Sequence, residues 1–247
     1  MKKNIKLIGK KAKIAIQKKI DTKTKNKVLK SFALLLKKEE KKILLENRKD
    51  IIFAKQKKIR LNLVERLILN SKKLKSIKKS VGDIAKLEDP INKVLEKWKR
   101  PNGLLIKKTS TPIGVIGVIY ESRPNVTSDV SSLCFKSGNA VILRGGSEAI
   151  NTNKILASLF RKALTINKVN PNFVQFIRNR DRGIVDFMLS KMINEIDVII
   201  PRGGKNLIKR VQSISKIPVI GHLEGICHTY IDKDADLKMA IKVLHNA

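Results

Sequence analysis

VILRGGSE at residues 141–148 and VIIPRGGKN at residues 198–206 share one construction. In each, an apolar, β-branched run ends in Arg-Gly-Gly, and a segment with helical character follows. Strand, glycine turn and helix make the junction of a βαβ unit, where glycine lets the backbone turn sharply and approach a ligand. The free N–H groups at the start of the following helix form an anion site. In an open parallel sheet both junctions face one side, at the carboxyl ends of the strands where ligands bind. A lone glycine at such a turn is most often structural. Two of them, each with an arginine, point to a phosphate-bearing ligand such as a dinucleotide. The GxGxxG fingerprint is missing at both, so the sequence does not read as a standard dinucleotide fold.

Outward from these junctions the same alternation continues. LLIKK (104–108) and GVIGVIY (114–120) read as strands, followed by the turn SRPN (122–125) and a helical stretch through Leu133. AVILR precedes a helix over 148–164, FVQFI (173–177) precedes one over 183–193, and DVIIP (197–201) precedes one over 205–214. PVI (218–220) is a last short strand. Strands alternating with helices at this spacing predict right-handed crossovers. The expected fold is therefore α/β: a Rossmann-like open, mostly parallel sheet with flanking helices and a helical N-terminal layer.

Residues 1–103 form that layer and residues 104–247 the βαβ core. In the layer, Val28, Phe32, Leu35, Leu36, Ile43 and Leu44 keep a helical period, with lysines on the other face. Thr22 or Thr24 is placed to cap this helix. Leu63, Leu67 and Ile68 repeat the pattern before a turn at Glu88, Asp89 and Pro90. A final helix starts near Asp234, with Ala235, Ala240, Val243 and Leu244 at packing positions, and reaches Ala247 without a cap. Such an ending reads as an interrupted chain.

The formal net charge is +33, from 54 Lys and Arg against 21 Asp and Glu. It suits a polyanionic partner, and a basic nucleic-acid-binding module is one alternative reading. Aromatic residues, however, are only 4%, too few to serve as base-stacking platforms, and the excess is mostly lysine spread along the chain. Nucleic acid is thus the lesser expectation. Cys134 and Cys227 make neither a disulfide framework nor a CxxC pair, in keeping with a reducing compartment. The basic N-terminus lacks the apolar core of a signal peptide, and no run approaches the length of a membrane span. A soluble, cytoplasmic protein is expected.

HLEGICHTYID (222–232) admits three readings of Cys227: nucleophile with His228 as base, metal ligand, or ordinary thiol. His222, Cys227, His228 and His245 have no familiar zinc spacing. Adjacent residues of a strand point to opposite faces, which separates Cys227 from His228. A lone cysteine is more often a small buried hydrophobe.

The stretch GVIGVIYESRPNVTSDVSSLCFKSGNAVILRGGSEAINTN (114–153) resembles the coenzyme-binding region of the γ-glutamyl phosphate reductase family, in the aldehyde dehydrogenase superfamily. The likeness continues through DVIIPRGGKNLIKRV and IPVIGHLEGICHTYIDKDADLKMAIKVLHNA and reaches back to LLENRKDI, ERLILN and LEDPINKVLEKW. It implies NADPH-dependent reduction of L-glutamate 5-phosphate to glutamate 5-semialdehyde with release of phosphate, in proline biosynthesis. In that family a cysteine thiolate displaces phosphate to give a thioester, which hydride then reduces.

By the same resemblance the nucleophile lies in a catalytic domain beyond Ala247. Cys227 then sits near the cofactor, Cys134 has less claim still, and the chain alone is inactive. Arg144, Gly145 and Gly146 match the turn at the adenosine ribose, with Arg144 meeting the 2′-phosphate. Gly203 and Gly204 match the helix start facing the pyrophosphate. Asn125 corresponds to an oxyanion-binding asparagine, although SRPN differs in length and composition from the usual turn. Glu224 resembles a general-base position and is read here as a loop residue. The complete protein is expected to be a homo-oligomer without a metal. A non-catalytic NADPH-binding protein is the second alternative.

Overall fold

The structure, a computed structural model, describes residues 2–121, 123–181, 183–221 and 227–246. Five helices come first: α1 (Lys2–Ile16), α2 (Thr22–Lys38), α3 (Glu40–Gln56), α4 (Leu61–Leu67) and α5 (Ser71–Lys86). Burial of Val28, Leu29, Phe32, Leu35 and Leu36 confirms the apolar stripe of α2. Its cap is neither threonine. Asp21 accepts from the Thr24 N–H at 2.9 Å, while the Thr22 hydroxyl donates to Asp89 at 2.7 Å. A carboxylate suits the positive end of the helix better than a hydroxyl does.

Two strands follow, of which the sequence read only the second, LLIKK, as a strand. Val94–Lys99 (β1), expected to be helical, pairs antiparallel with β2 (Leu105–Thr109), which itself lies outside the parallel sheet. Val94, Leu95, Trp98 and Leu105 stay exposed on this ribbon. A strand buried on neither face shows no alternation, so its period is not readable.

The core sheet contains β3 (Val115–Tyr120), β4 (Ala140–Arg144), β5 (Val174–Phe176) and β6 (Val198–Arg202), all parallel, in the order β5-β4-β3-β6. Helices α6 (Pro124–Lys136), α7 (Ile150–Ile166), α8 (Gly183–Lys191) and α9 (Lys205–Ile214) follow successive strands. Every residue of β3 and β4 is buried, as strands covered on both faces require. PVI contributes one parallel bridge, Val219 to Ile199.

One apolar cluster runs from α2 through α7 to the sheet. Phe32, Phe160, Phe135 and Phe173 join its layers in that order, with successive ring centroids 4.7, 5.9 and 5.4 Å apart. The last helix, α10 (Leu237–His245), begins at the Asp236 cap and buries none of its residues. Ala235 and Ala240 are half-buried, and Val243 and Leu244 are exposed, so the expected packing positions have no partner among the described residues. No helix among the described residues is long and apolar enough to cross a membrane.

Candidate coenzyme site

The chain leaves β3, crosses through α6 to β4 on one side, and later returns through α8 to β6 on the other. Strand order therefore reverses between β3 and β6, and a crevice opens outside their carboxyl ends. Register puts the relevant ends level: Ile119 pairs with Arg144 of β4 and with Pro201 of β6, and Tyr120 pairs with Arg202. Both Arg-Gly-Gly turns thus flank the end of β3.

At the β6 turn, Gly204 is the N-cap of α9, and its N–H donates to the Glu121 carboxylate at 3.0 Å. Glu121 directly follows β3, so an anionic group already lies where the helix start attracts one. Gly203 makes this approach possible. A Cβ there would stand 2.7 Å from Glu121 Cδ and 2.7 Å from Leu207 Cδ2. Sequence reasoning missed Glu121, since it is 83 positions away from Gly204 and no local signal links them.

At the β4 turn, the Arg144 guanidinium is buried. It donates to the Gly145 carbonyl at 2.7 Å and to the carbonyls of Arg180 and Asp181 at 3.3 and 3.4 Å. Arg144 therefore ties the β4 turn to the loop after β5. Gly145 packs against Asn153 and the Tyr120 ring, where a Cβ would fall 3.0 Å from Tyr120 Cζ. Beneath it the Tyr120 hydroxyl donates to Thr127 Oγ1 at 2.6 Å, and Thr127 donates to Asn153 Oδ1 at 2.9 Å. Burial raises the Tyr120 phenol far above its ordinary pKa, so it stays a neutral donor. The buried Asn153 Nδ2 has no hydrogen-bond partner among the described residues. Gly146 is overhung by the Glu148 carboxylate.

Asn125 lies in the first turn of α6, exposed, donating to Asp129 on the same helix at 3.2 Å. His222 and Glu224 lie outside the described residues. No group of three His, Cys, Asp or Glu suited to a metal occurs among the described residues.

The two thiols differ sharply. Cys134 is buried on α6, and burial pushes its thiol up to about 12, whereas Cys227 is exposed. The thiolate is the reactive form. Native protein treated with iodoacetamide in mildly alkaline buffer should take up one adduct, at Cys227, and a second only after denaturation. A fast native adduct at Cys134 would contradict the packing of α6.

A parallel sheet with a switch-point crevice, glycine turns at two strand ends and an anion-binding helix start define a nucleotide-coenzyme domain. The aldehyde dehydrogenase family model matches residues 2–247, and the chain belongs to that family. It is similar to γ-glutamyl phosphate reductase from Bartonella henselae, with 46% identity over 90% of this chain and 54% of that protein. The same enzyme from Desulforamulus reducens is 43% identical over 99% of this chain and 59% of its own length. The crystal structure of γ-glutamyl phosphate reductase from Thermotoga maritima superposes with a TM-score of 0.90 at 39% identity, covering 97% of this chain and 58% of that one. The chain spans somewhat more than half the length of these relatives.

Proposed function

We propose that this chain is the coenzyme-binding part of a γ-glutamyl phosphate reductase, binding NADPH for the reduction of L-glutamate 5-phosphate to glutamate 5-semialdehyde. The observation that carries this reading is the paired Arg-Gly-Gly turns at the ends of β4 and β6, level with each other on either side of β3. The likeness to reductases of that name supplies the reaction class.

The residues fit the coenzyme. The Gly204 N–H already holds a carboxylate oxygen, and Gly203 leaves room beside it. An arriving pyrophosphate competes with Glu121 for that donor. Gly145 and Gly146 bring the β4 turn close to the ribose, and Arg144 supplies positive charge toward the 2′-phosphate while it holds the 180–181 carbonyls. Asn125 is assigned to orient the acyl oxygen from the first turn of α6. When bound, NADPH supplies the hydride. This chain binds and orients it, and the attacking thiol belongs to a further catalytic domain. Neither Cys134, buried and protonated, nor Cys227, in the segment after β6, takes that part.

The assay runs in the oxidising direction, with the purified chain, glutamate 5-semialdehyde, NADP and phosphate. The expected result is no formation of NADPH. Turnover abolished by Cys227→Ala would overturn the division of labour proposed here.

A further inference from the structure

A second cleft, of about 530 Å³, opens at the other edge of the sheet, between α1, α7 and the edge strand β5. It is separate from the crevice at the ends of β3 and β6. Its size lies within the range of small-molecule sites. Ile5 and Ile8 of α1 and Phe176 of β5 give it an apolar floor, and Lys154, Arg161 and Arg178 bring three cations to its wall. Among the described residues no Asp or Glu lines it.

The three cations have no carboxylate partner among the described residues. Arg161 Nη1 donates only to neutral oxygens, those of Pro171 at 2.8 Å, Val174 at 2.7 Å and the Gln175 side chain at 3.2 Å. Its Nη2 reaches the Asn172 side chain at 3.4 Å. Burial, and then the like charge of Arg178, hold the Arg161 guanidinium below its ordinary pKa. Two cations elsewhere do find carboxylates: the buried Lys25 pairs with Asp89 at 2.8 Å and the half-buried Lys13 with Asp197 at 2.6 Å. Converging like charges over an apolar floor repel one another until an anion enters.

We propose that this cleft binds a small organic oxyanion, a phosphate monoester or a carboxylate, whose apolar body rests on Ile5, Ile8 and Phe176. Lys154 and Arg178 hold the charged head. Arg161, fixed by the carbonyls of residues 171 and 174, is the rigid member. The site takes nothing from the coenzyme reading and stands if that reading fails.

Phenyl phosphate and benzoate are suitable probes, titrated calorimetrically at constant ionic strength so that diffuse attraction to the net charge is screened alike. The expected result is saturable binding of one equivalent of at least one probe, and the tighter one identifies the head group. Lys154→Gln with Arg178→Gln should weaken it about tenfold or more, as loss of charge-assisted contacts implies. Ser158→Asp, which places a carboxylate in the cleft and removes no cation, should give a comparable loss. Lys41→Gln with Lys42→Gln, the same charge change on the exposed face of α3, should leave binding intact. No saturable binding of either probe would overturn the proposal. So would equal weakening by the α3 pair, or binding undisturbed by both cleft variants.

Discussion

Asp50→Ala is expected to lower the unfolding free energy by about 3 kcal/mol, since it leaves buried donors without a partner. Asp50 is fully buried on α3 and accepts four hydrogen bonds from the first turn of α7. They come from Asn151 N at 3.1 Å, Asn151 Nδ2 at 2.8 Å, Thr152 N at 2.7 Å and Thr152 Oγ1 at 2.7 Å. Two of these are helix-start N–H groups that no intrahelical carbonyl can satisfy. One turn earlier, Asn47 joins the same helix and the α4–α5 connection, donating to Thr152 Oγ1 at 3.1 Å and to the Leu67 carbonyl at 2.9 Å. Asp50 thus fastens the N-terminal helices to the βαβ core.

The charge has a cost of its own. Desolvation outweighs the four donors and raises the Asp50 pKa above the usual carboxylate value. A raised folded-state pKa means that the folded protein holds the proton more tightly. Its contribution to stability is complete below the unfolded pKa and declines as pH rises through the folded one. The difference between wild type and Asp50→Ala should therefore be larger in mildly acidic than in neutral solution. Urea unfolding at both conditions measures it. A loss below about 1 kcal/mol would mean that water replaces the carboxylate at α7.

Gly203→Val is expected to weaken NADPH binding by about tenfold or more, a change of at least 1.4 kcal/mol. The added side chain starts 2.7 Å from both Glu121 Cδ and Leu207 Cδ2, in front of the α9 donors. Both contacted atoms are side-chain atoms, and Glu121 is exposed, so the fold accommodates the change while the approach to the helix start is lost. Circular dichroism should stay as in wild type. An unchanged affinity would remove the pyrophosphate from α9.

What was legible in the sequence follows from how local its signal is. The helix over 205–214 matches α9 residue for residue, because a glycine turn marks its start and an amphipathic period its length. The parallel sheet was readable because β3 and β4 are buried on both faces and so consist almost wholly of apolar residues. Val94–Lys99 was not, since its apolar side chains face solvent and mark no core. Val243 and Leu244 have helical spacing without a surface to pack on, and spacing alone carries no information about the partner. Arg144, Gly145, Gly203 and Gly204 do stand at the strand ends to which the alternation assigned them. Glu121 beneath Gly204 and Asp50 beneath Asn151 and Thr152 were beyond reach: each meets partners 83 to 102 positions away, which only the folded chain brings together.

Occupation of the crevice between β3 and β6 by NADPH is read out by a fluorescence titration of NADPH into the purified chain, beside NADH. The expected result is saturable NADPH binding, tighter than that of NADH, with the preference reduced in Arg144→Ala. A folded chain that gives only a linear, unsaturating response to NADPH would contradict it.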